Sequence, residues 1–306
     1  MANRVLITGA SGFVGSFVVR RALQRGWDVA VLLRNPENAR RIVEELPHLT
    51  VIQGDLARFD LVAAEAAAFE PSAVIHLAWQ GVQSSDRNDL MQVDNVVASL
   101  ALLRWAHKAG VAHFIGLGSQ AEYGPCLVRI DESVPTRPTT LYGAAKLSTY
   151  VMSDRIAEQL GLAFAWLRLF SSYGPDDDPN RLFPYLIDRL LCGERPALTK
   201  AEQLWDFIFV EDVADALLAV VESRARGVFN LGSGTAPSLR TMIEAIRDRI
   251  DPSLELGFGE APYRPDQVMC LQADISALTQ ATGWTPKVGI SEGVARMIAW
   301  RRGNEK

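Results

Sequence analysis

Cysteine and histidine are both scarce, with three Cys and four His in 306 residues. Cys126, Cys192 and Cys270 are odd in number and far apart, which excludes a disulfide framework. Neither they nor His48, His76, His107 and His113 fall at metal-ligand spacing, so no metal site is expected and these residues read as packing. Long apolar runs are missing too. The opening Val5-Leu6-Ile7 runs into Gly9 and is too short for a secretory signal core. Nothing approaches the roughly 20 apolar residues of a membrane span. The expectation is a reduced, cytoplasmic protein. No basic block exists either: 31 Lys+Arg stand against 36 Asp+Glu, a net charge of −5. That balance excludes nucleic acid and anionic membrane as the main partner.

What is present is apolar content, 48% of the chain, which is too much for a disordered state and enough for a large core. Strand-like runs over residues 5–8, 29–33, 50–53, 73–77, 113–117 and 163–169 alternate with helical patterns over 14–25, 37–46, 61–69, 90–109 and 141–160. This alternation predicts an α/β fold, a doubly wound parallel sheet covered on both faces. After Ser171 the pattern changes. Tyr173-Gly-Pro-Asp-Asp-Asp-Pro179 is a loop, and later helices are expected over 182–191, 210–222, 239–250 and 290–301. The chain therefore divides into a dinucleotide-binding (Rossmann) domain over 1–171, with return segments near 207–231, and a smaller, mostly helical substrate-binding lobe over 172–206 and 232–306. Substrate is expected at the carboxyl edge of the sheet.

Thr8-Gly9-Ala10-Ser11-Gly12-Phe13-Val14-Gly15 joins the first strand to the first helix. Gly9 allows the tight turn, Gly12 lets backbone approach a pyrophosphate, and Gly15 lets helix pack close to strand. The backbone from Ser11 through Gly12, Phe13 and Val14 then offers free N–H groups and the positive end of a helix dipole. The second strand ends Leu33-Arg34-Asn35, with no acid to take a ribose 2′-hydroxyl. Arg34 either meets a 2′-phosphate or is a solvated surface residue; the first reading favours NADP(H) over NAD(H). Asp55, followed by Leu56, closes the third strand and suits an adenine amino group or a helix N-cap, roles that are compatible. Tyr142 and Lys146, four apart at the start of a helix, place a phenol beside an ammonium, which favours the phenolate and proton exchange near neutral pH.

Together with these motifs stand His76-Leu77-Ala78-Trp79, Asn95, Gly118-Ser119-Gln120-Ala121-Glu122-Tyr123-Gly124 and Arg168-Leu169-Phe170-Ser171-Ser172-Tyr173-Gly174-Pro175. Trp205-Asp206-Phe207, Phe229-Asn230-Leu231-Gly232 and Gly283-Trp284-Thr285-Pro286 complete the set. In this order they resemble the extended short-chain dehydrogenase/reductase superfamily, and within it the nucleotide-sugar epimerase/dehydratase/reductase group. The resemblance implies Tyr142 as general acid/base, Lys146 as a ligand of the nicotinamide ribose that lowers the Tyr142 pKa, and Ser119 as the group holding the reacting oxygen. Leu77 and Ala78 would line the cofactor, Asn95 would support the active site, and Leu169 would lie near the nicotinamide. Arg264 would contact a nucleotide diphosphate or form a surface ion pair.

The departures from the group pattern matter. Gln120 and Ala121 stand where dehydratases carry an Asp-Glu pair, and Cys126 lies outside the Cys/His pattern of two-centre epimerases. Glu122 is displaced and matches neither. Ser171 replaces the usual diphosphate-contacting Asn, Trp205 the usual Arg, and Trp79 a small residue. The nucleotide half of the substrate must be gripped differently, and Trp79 either shapes the sugar pocket or packs in the core. The implied activity is reduction by NADPH of a nucleotide-linked 4-keto-6-deoxy sugar. The alternatives are a 4-epimerase with tightly bound NAD(H) and a non-catalytic nucleotide sensor, the latter disfavoured by the intact Ser119, Tyr142 and Lys146. A homodimer through helices 90–109 and 141–160 is a further implication.

Overall fold

The computed structural model describes residues 3–263 and 267–303. Six parallel strands form in the first half: β1 (Arg4–Thr8), β2 (Asp28–Leu33), β3 (Thr50–Gln53), β4 (Ala73–His76), β5 (His113–Ser119) and β6 (Ala163–Leu169). Three short strands follow, β7 (Ser171–Tyr173), β8 (Ala197–Leu198) and β9 (Leu204–Trp205), then β10 (Phe207–Phe209), β11 (Gly227–Leu231), β12 (Gly257–Phe258) and β13 (Cys270–Leu271). The helices are α1 (Phe13–Gln24), α2 (Ala63–Ala68), α3 (Met91–Lys108), α4 (Leu141–Leu160), α5 (Leu182–Leu191), α6 (Val210–Ser223), α7 (Leu239–Ile250), α8 (Ser276–Thr282) and α9 (Ile290–Gly303).

The central sheet has seven strands in the order β11-β6-β5-β4-β1-β2-β3, all parallel. Such a sheet is buried on both faces, which is why its strands read as continuous apolar runs. One face packs on α1 and α6 through Val5, Ile7, Val18, Val19, Val213 and Leu217. The other packs on α3 and α4 through Leu6, Val74, Leu102, Phe114 and Trp166. The chain reverses direction of progress between β1 and β4, the switch point at which ligands enter such sheets. A separate core of Tyr173, Phe183, Leu186, Met242, Ile243 and Met297 binds α5, α7 and α9 together. By contrast α8 returns to the sheet, since Leu278 and Trp284 belong to the first core.

Residues 37–46, expected to be helical, form only the 3-10 turns Pro36–Asn38 and Arg40–Ile42, with Leu46–His48 following. The break falls at Ala39, whose ψ of 47° lies outside the helical range and separates the first two turns. The helix expected over 61–69 shortens to α2, preceded by a 3-10 segment at Leu56–Leu61. Among the described residues no helix is long and apolar enough to cross a membrane.

Candidate functional site

A cavity of about 900 Å³ opens at the switch point. The turn after β1 lines it with Gly9, Ser11 and Gly12, β2 with Arg34, the turn after β3 with Asp55 and Leu56, and the turn after β4 with Leu77, Ala78 and Trp79. Gly9 has φ +74°, and a Cβ there would stand 2.6 Å from the Ala78 backbone nitrogen. The β1 and β4 turns thus touch, and only glycine fits between them. Helix α1 begins at this turn with no side-chain cap and no acid in its first turn. Its unsatisfied N–H groups and positive dipole end suit a phosphate, so the cavity's chemistry fits a dinucleotide. Phe13 and Val14 lie in that first turn but pack against the core rather than line the cavity.

The other expected cofactor contacts sort by their partners. Arg34 is exposed on the cavity rim. Asp55 caps the 3-10 segment, accepting the Ala57 N–H at 3.0 Å, and still faces the cavity. Asn95 clamps the Gln80 backbone, accepting its N–H at 2.9 Å and donating to its carbonyl at 3.0 Å. Asn95 also lines the cavity. His76 is core: Nδ1 bonds the Thr8 hydroxyl at 2.7 Å and Nε2 the Ser99 hydroxyl at 2.8 Å. Burial, with the Lys146 charge adding to it, pushes its pKa down to about 3. Leu169 pairs with Ser119 across β5 and β6. Arg264 lies outside the described residues.

Ser119, Tyr142 and Lys146 meet beside the cavity. Thr140 caps α4 through the Gly143 N–H at 3.1 Å, placing Tyr142 in the first turn and Lys146 one turn on. The Ser119 side chain sits near enough to the Tyr142 hydroxyl to hold its pKa down. Lys146 is buried, donates to the Leu117 carbonyl at 2.7 Å, and sits 3.6 Å from the centre of the Trp79 ring. The Trp79 indole N–H in turn reaches Gln92 Oε1 at 2.8 Å. Trp79 therefore forms the wall between cavity and acid/base pair, a position between the pocket and core readings.

One expectation is corrected. The Tyr/Lys spacing predicts a phenol tuned downward by its neighbouring ammonium. Instead burial dominates and pushes the Tyr142 pKa up; Ser119, Arg87 and Arg181 pull against it. The Lys146 ammonium is 6.0 Å from the Tyr142 ring centre, much nearer Trp79. Burial lowers Lys146 itself to about 7, with the Glu122 charge opposing.

Sequence reasoning missed Arg87 and Glu122. Arg87 accepts the Tyr142 backbone N–H at 2.8 Å through its carbonyl, and its guanidinium lies 5.2 Å from the Tyr142 ring centre. It comes from an irregular loop and left no periodic signal. Glu122 had one: Ser119-Gln-Ala-Glu122 has capping-box spacing, and Ser119 and Glu122 do cap one another. Ser171, expected at the diphosphate, accepts the Trp205 indole N–H at 2.7 Å. Among the described residues no group of His, Cys, Asp or Glu is placed to hold a metal ion.

The chain is 29% identical to a protein of Methanocaldococcus jannaschii named putative UDP-glucose 4-epimerase, over 99% of both chains. It is 30% identical to the UDP-glucose 4-epimerase of Corynebacterium glutamicum, over 93% of this chain and 91% of that one. The structure of Thermus thermophilus UDP-glucose 4-epimerase in complex with NAD superposes with a TM-score of 0.85 at 28% identity, covering 98% of this chain and 99% of that one. A profile described as the NAD dependent epimerase/dehydratase family matches residues 5–232, and the chain belongs to that family.

Proposed function

We propose that the protein is a nucleotide-sugar 4-epimerase that keeps a tightly bound nicotinamide dinucleotide, NAD(H), through its cycle. The observation that carries the reading is the meeting of Ser119, Tyr142 and Lys146 beside a cavity whose glycine turn and open helix end suit a dinucleotide. Relatives named UDP-glucose 4-epimerase, matched along nearly the whole chain, support a uridine-linked hexose as substrate. Gln120 and Ala121 offer no second acid and base, which weighs against dehydration.

When bound, the nicotinamide ring supplies a reversible hydride acceptor. The chain's own residues handle the oxygen. Ser119 holds the C4 oxygen of the sugar, Tyr142 takes its proton and returns it to the same oxygen, Arg87 favours the phenolate between the two events, and Lys146 would hold the nicotinamide ribose. Trp79 walls the sugar from the acid/base pair's buried side.

A second reading, reduction of a nucleotide-linked 4-keto-6-deoxy sugar by NADPH, is favoured by Arg34 alone, exposed at the rim with no acid beside it at the end of β2. Denaturing the purified protein and identifying the released coenzyme separates the two. Retained NAD(H), unchanged by Arg34→Ala, with interconversion of UDP-glucose and UDP-galactose, is the expected result. A stripped protein that consumes NADPH with a 4-keto sugar, and binds it less well as Arg34→Ala, would establish the reductase.

We also propose a homodimer through α3 and α4, where Leu90, Val93, Val151 and Met152 stand exposed. Val151→Asp with Met152→Asp is expected to give a monomer by light scattering, and an unchanged mass would remove this face from consideration.

A further inference from the structure

The turn that carries Ser119 is built around a buried carboxylate. Glu122 Oε1 accepts the Ser119 backbone N–H at 2.9 Å and the Trp166 indole N–H at 3.0 Å, while Oε2 accepts Arg168 Nε at 2.8 Å. Glu122 is 0% exposed and Arg168 3%. Arg168 passes a second N–H to the Tyr123 oxygen at 2.9 Å, Tyr123 donates to Asn230 Oδ1 at 2.7 Å, and the Asn230 amide reaches the Ile130 carbonyl at 2.9 Å. Ile130 bridges Ala273, so the chain of bonds runs from the Ser119 turn to the segment leading into α8. Gly118 is part of the same fitting: a Cβ there would meet Glu122 Oε1 at 2.5 Å and the Trp166 indole nitrogen.

Burying two full charges is costly, and an apolar pair of similar volume often serves stability as well. A position for Ser119 is what an apolar pair could not supply. We propose that Glu122 is a positioning residue: its carboxylate, locked by Arg168 and Trp166, fixes the Ser119 backbone and so holds the Ser119 hydroxyl against Tyr142. The inference rests on the reading of Ser119 and Tyr142 as the proton-handling pair.

The charge of Glu122 acts on the same pair. It raises the proton affinity of both Tyr142 and Lys146. The other groups facing them are Arg87 and Arg181, which favour the phenolate, and His76, which is neutral; Arg168 is held by Glu122, and Tyr150 faces Arg168. Removing the Glu122 charge therefore lets Tyr142 and Lys146 lose protons at lower pH.

The test uses Glu122→Leu and the double variant Glu122→Leu/Arg168→Met. Leucine withdraws the acceptor from Ser119 and Trp166, and the double variant leaves no stranded guanidinium if the single one fails to fold. Tyr142 ionisation is read without substrate, as tyrosinate absorbance of each protein minus that of its Tyr142→Phe counterpart. The expected result is a Tyr142 transition at lower pH in the folded variants. With it, kcat falls roughly 10- to 100-fold while KM stays near its original value. A double variant that melts cooperatively but shows the original Tyr142 transition and the original pH profile of kcat overturns the proposal. If no sugar is turned over by the unaltered protein and the Tyr142 transition still moves, the epimerase reading falls and the action of Glu122 on Tyr142 stands.

Discussion

The Trp205 indole N–H donates to the Ser171 hydroxyl at 2.7 Å, joining two residues that each depart from the pattern of the group. Asn and Arg would be expected at these two places, and the pair here is neutral and satisfies itself. The substitutions are thus one structural change: the loss of a cation on β9 is matched by a short acceptor on β7. Trp205→Phe keeps the ring and removes the donor, leaving the Ser171 hydroxyl free to turn. A few-fold rise in KM for the nucleotide sugar with kcat within about twofold is expected, because one neutral hydrogen bond contributes about 1 kcal/mol. Steady-state kinetics at saturating coenzyme would check this; an altered kcat at constant KM would place the pair in chemistry rather than binding.

Tyr142→Phe removes the proton carrier and keeps the ring that packs against Trp79. Turnover is expected to fall about 10²- to 10⁴-fold. Coenzyme content after purification should not change. Loss of coenzyme along with activity would mean that Tyr142 anchors the dinucleotide instead.

Lys146 carries a cost that the fold tolerates. Its pKa lies at about 7 when folded against 10.5 for an ordinary lysine. Between those values the unfolded chain holds the proton and the folded chain does not, so stability rises as pH climbs through this window. Lys146→Met is expected to be inactive, to melt roughly 2–5 °C higher at the lower end of the window, and to lose much of that rise. Melting curves across the alkaline range would show it. An equally steep rise in the variant would assign the dependence to another group.

His76 governs the acid side. Its folded pKa of about 3, against 6.5 for an ordinary histidine, means that stability is complete above 6.5 and is lost as pH falls toward 3. His76→Asn should lose roughly 1–3 kcal/mol near neutrality, because Thr8 or Ser99 loses a buried hydrogen bond. It should also show a shallower decline in acid. Denaturant titrations at several pH values would separate the two effects, and parallel declines would exclude His76 as the sensor.

The apolar strands, the glycine turn and the Tyr142–Lys146 spacing were legible because each is a local pattern. A strand buried on both faces must be apolar throughout, and a helix brings residues four apart onto one side whatever surrounds it. The segment at 37–46 misled because its apolar spacing is helical while the backbone turns out of the helical range at Ala39. The two- and three-residue strands β7 to β10 are too short for any periodicity to register. Ser119 and Glu122 shared a readable cap, but the meaning of Glu122 depended on Arg168, 46 residues away. The pairing of Ser171 with Trp205 was equally beyond reach, as was the placing of Lys146 under Trp79. The sequence by itself determined the six strands and most of the helices of the first domain and which side chains share a helix face, since those follow from backbone periodicity. Only the tertiary structure decided which charges are buried together and where protons are held, because desolvation and long-range pairing depend on what the fold packs around each group.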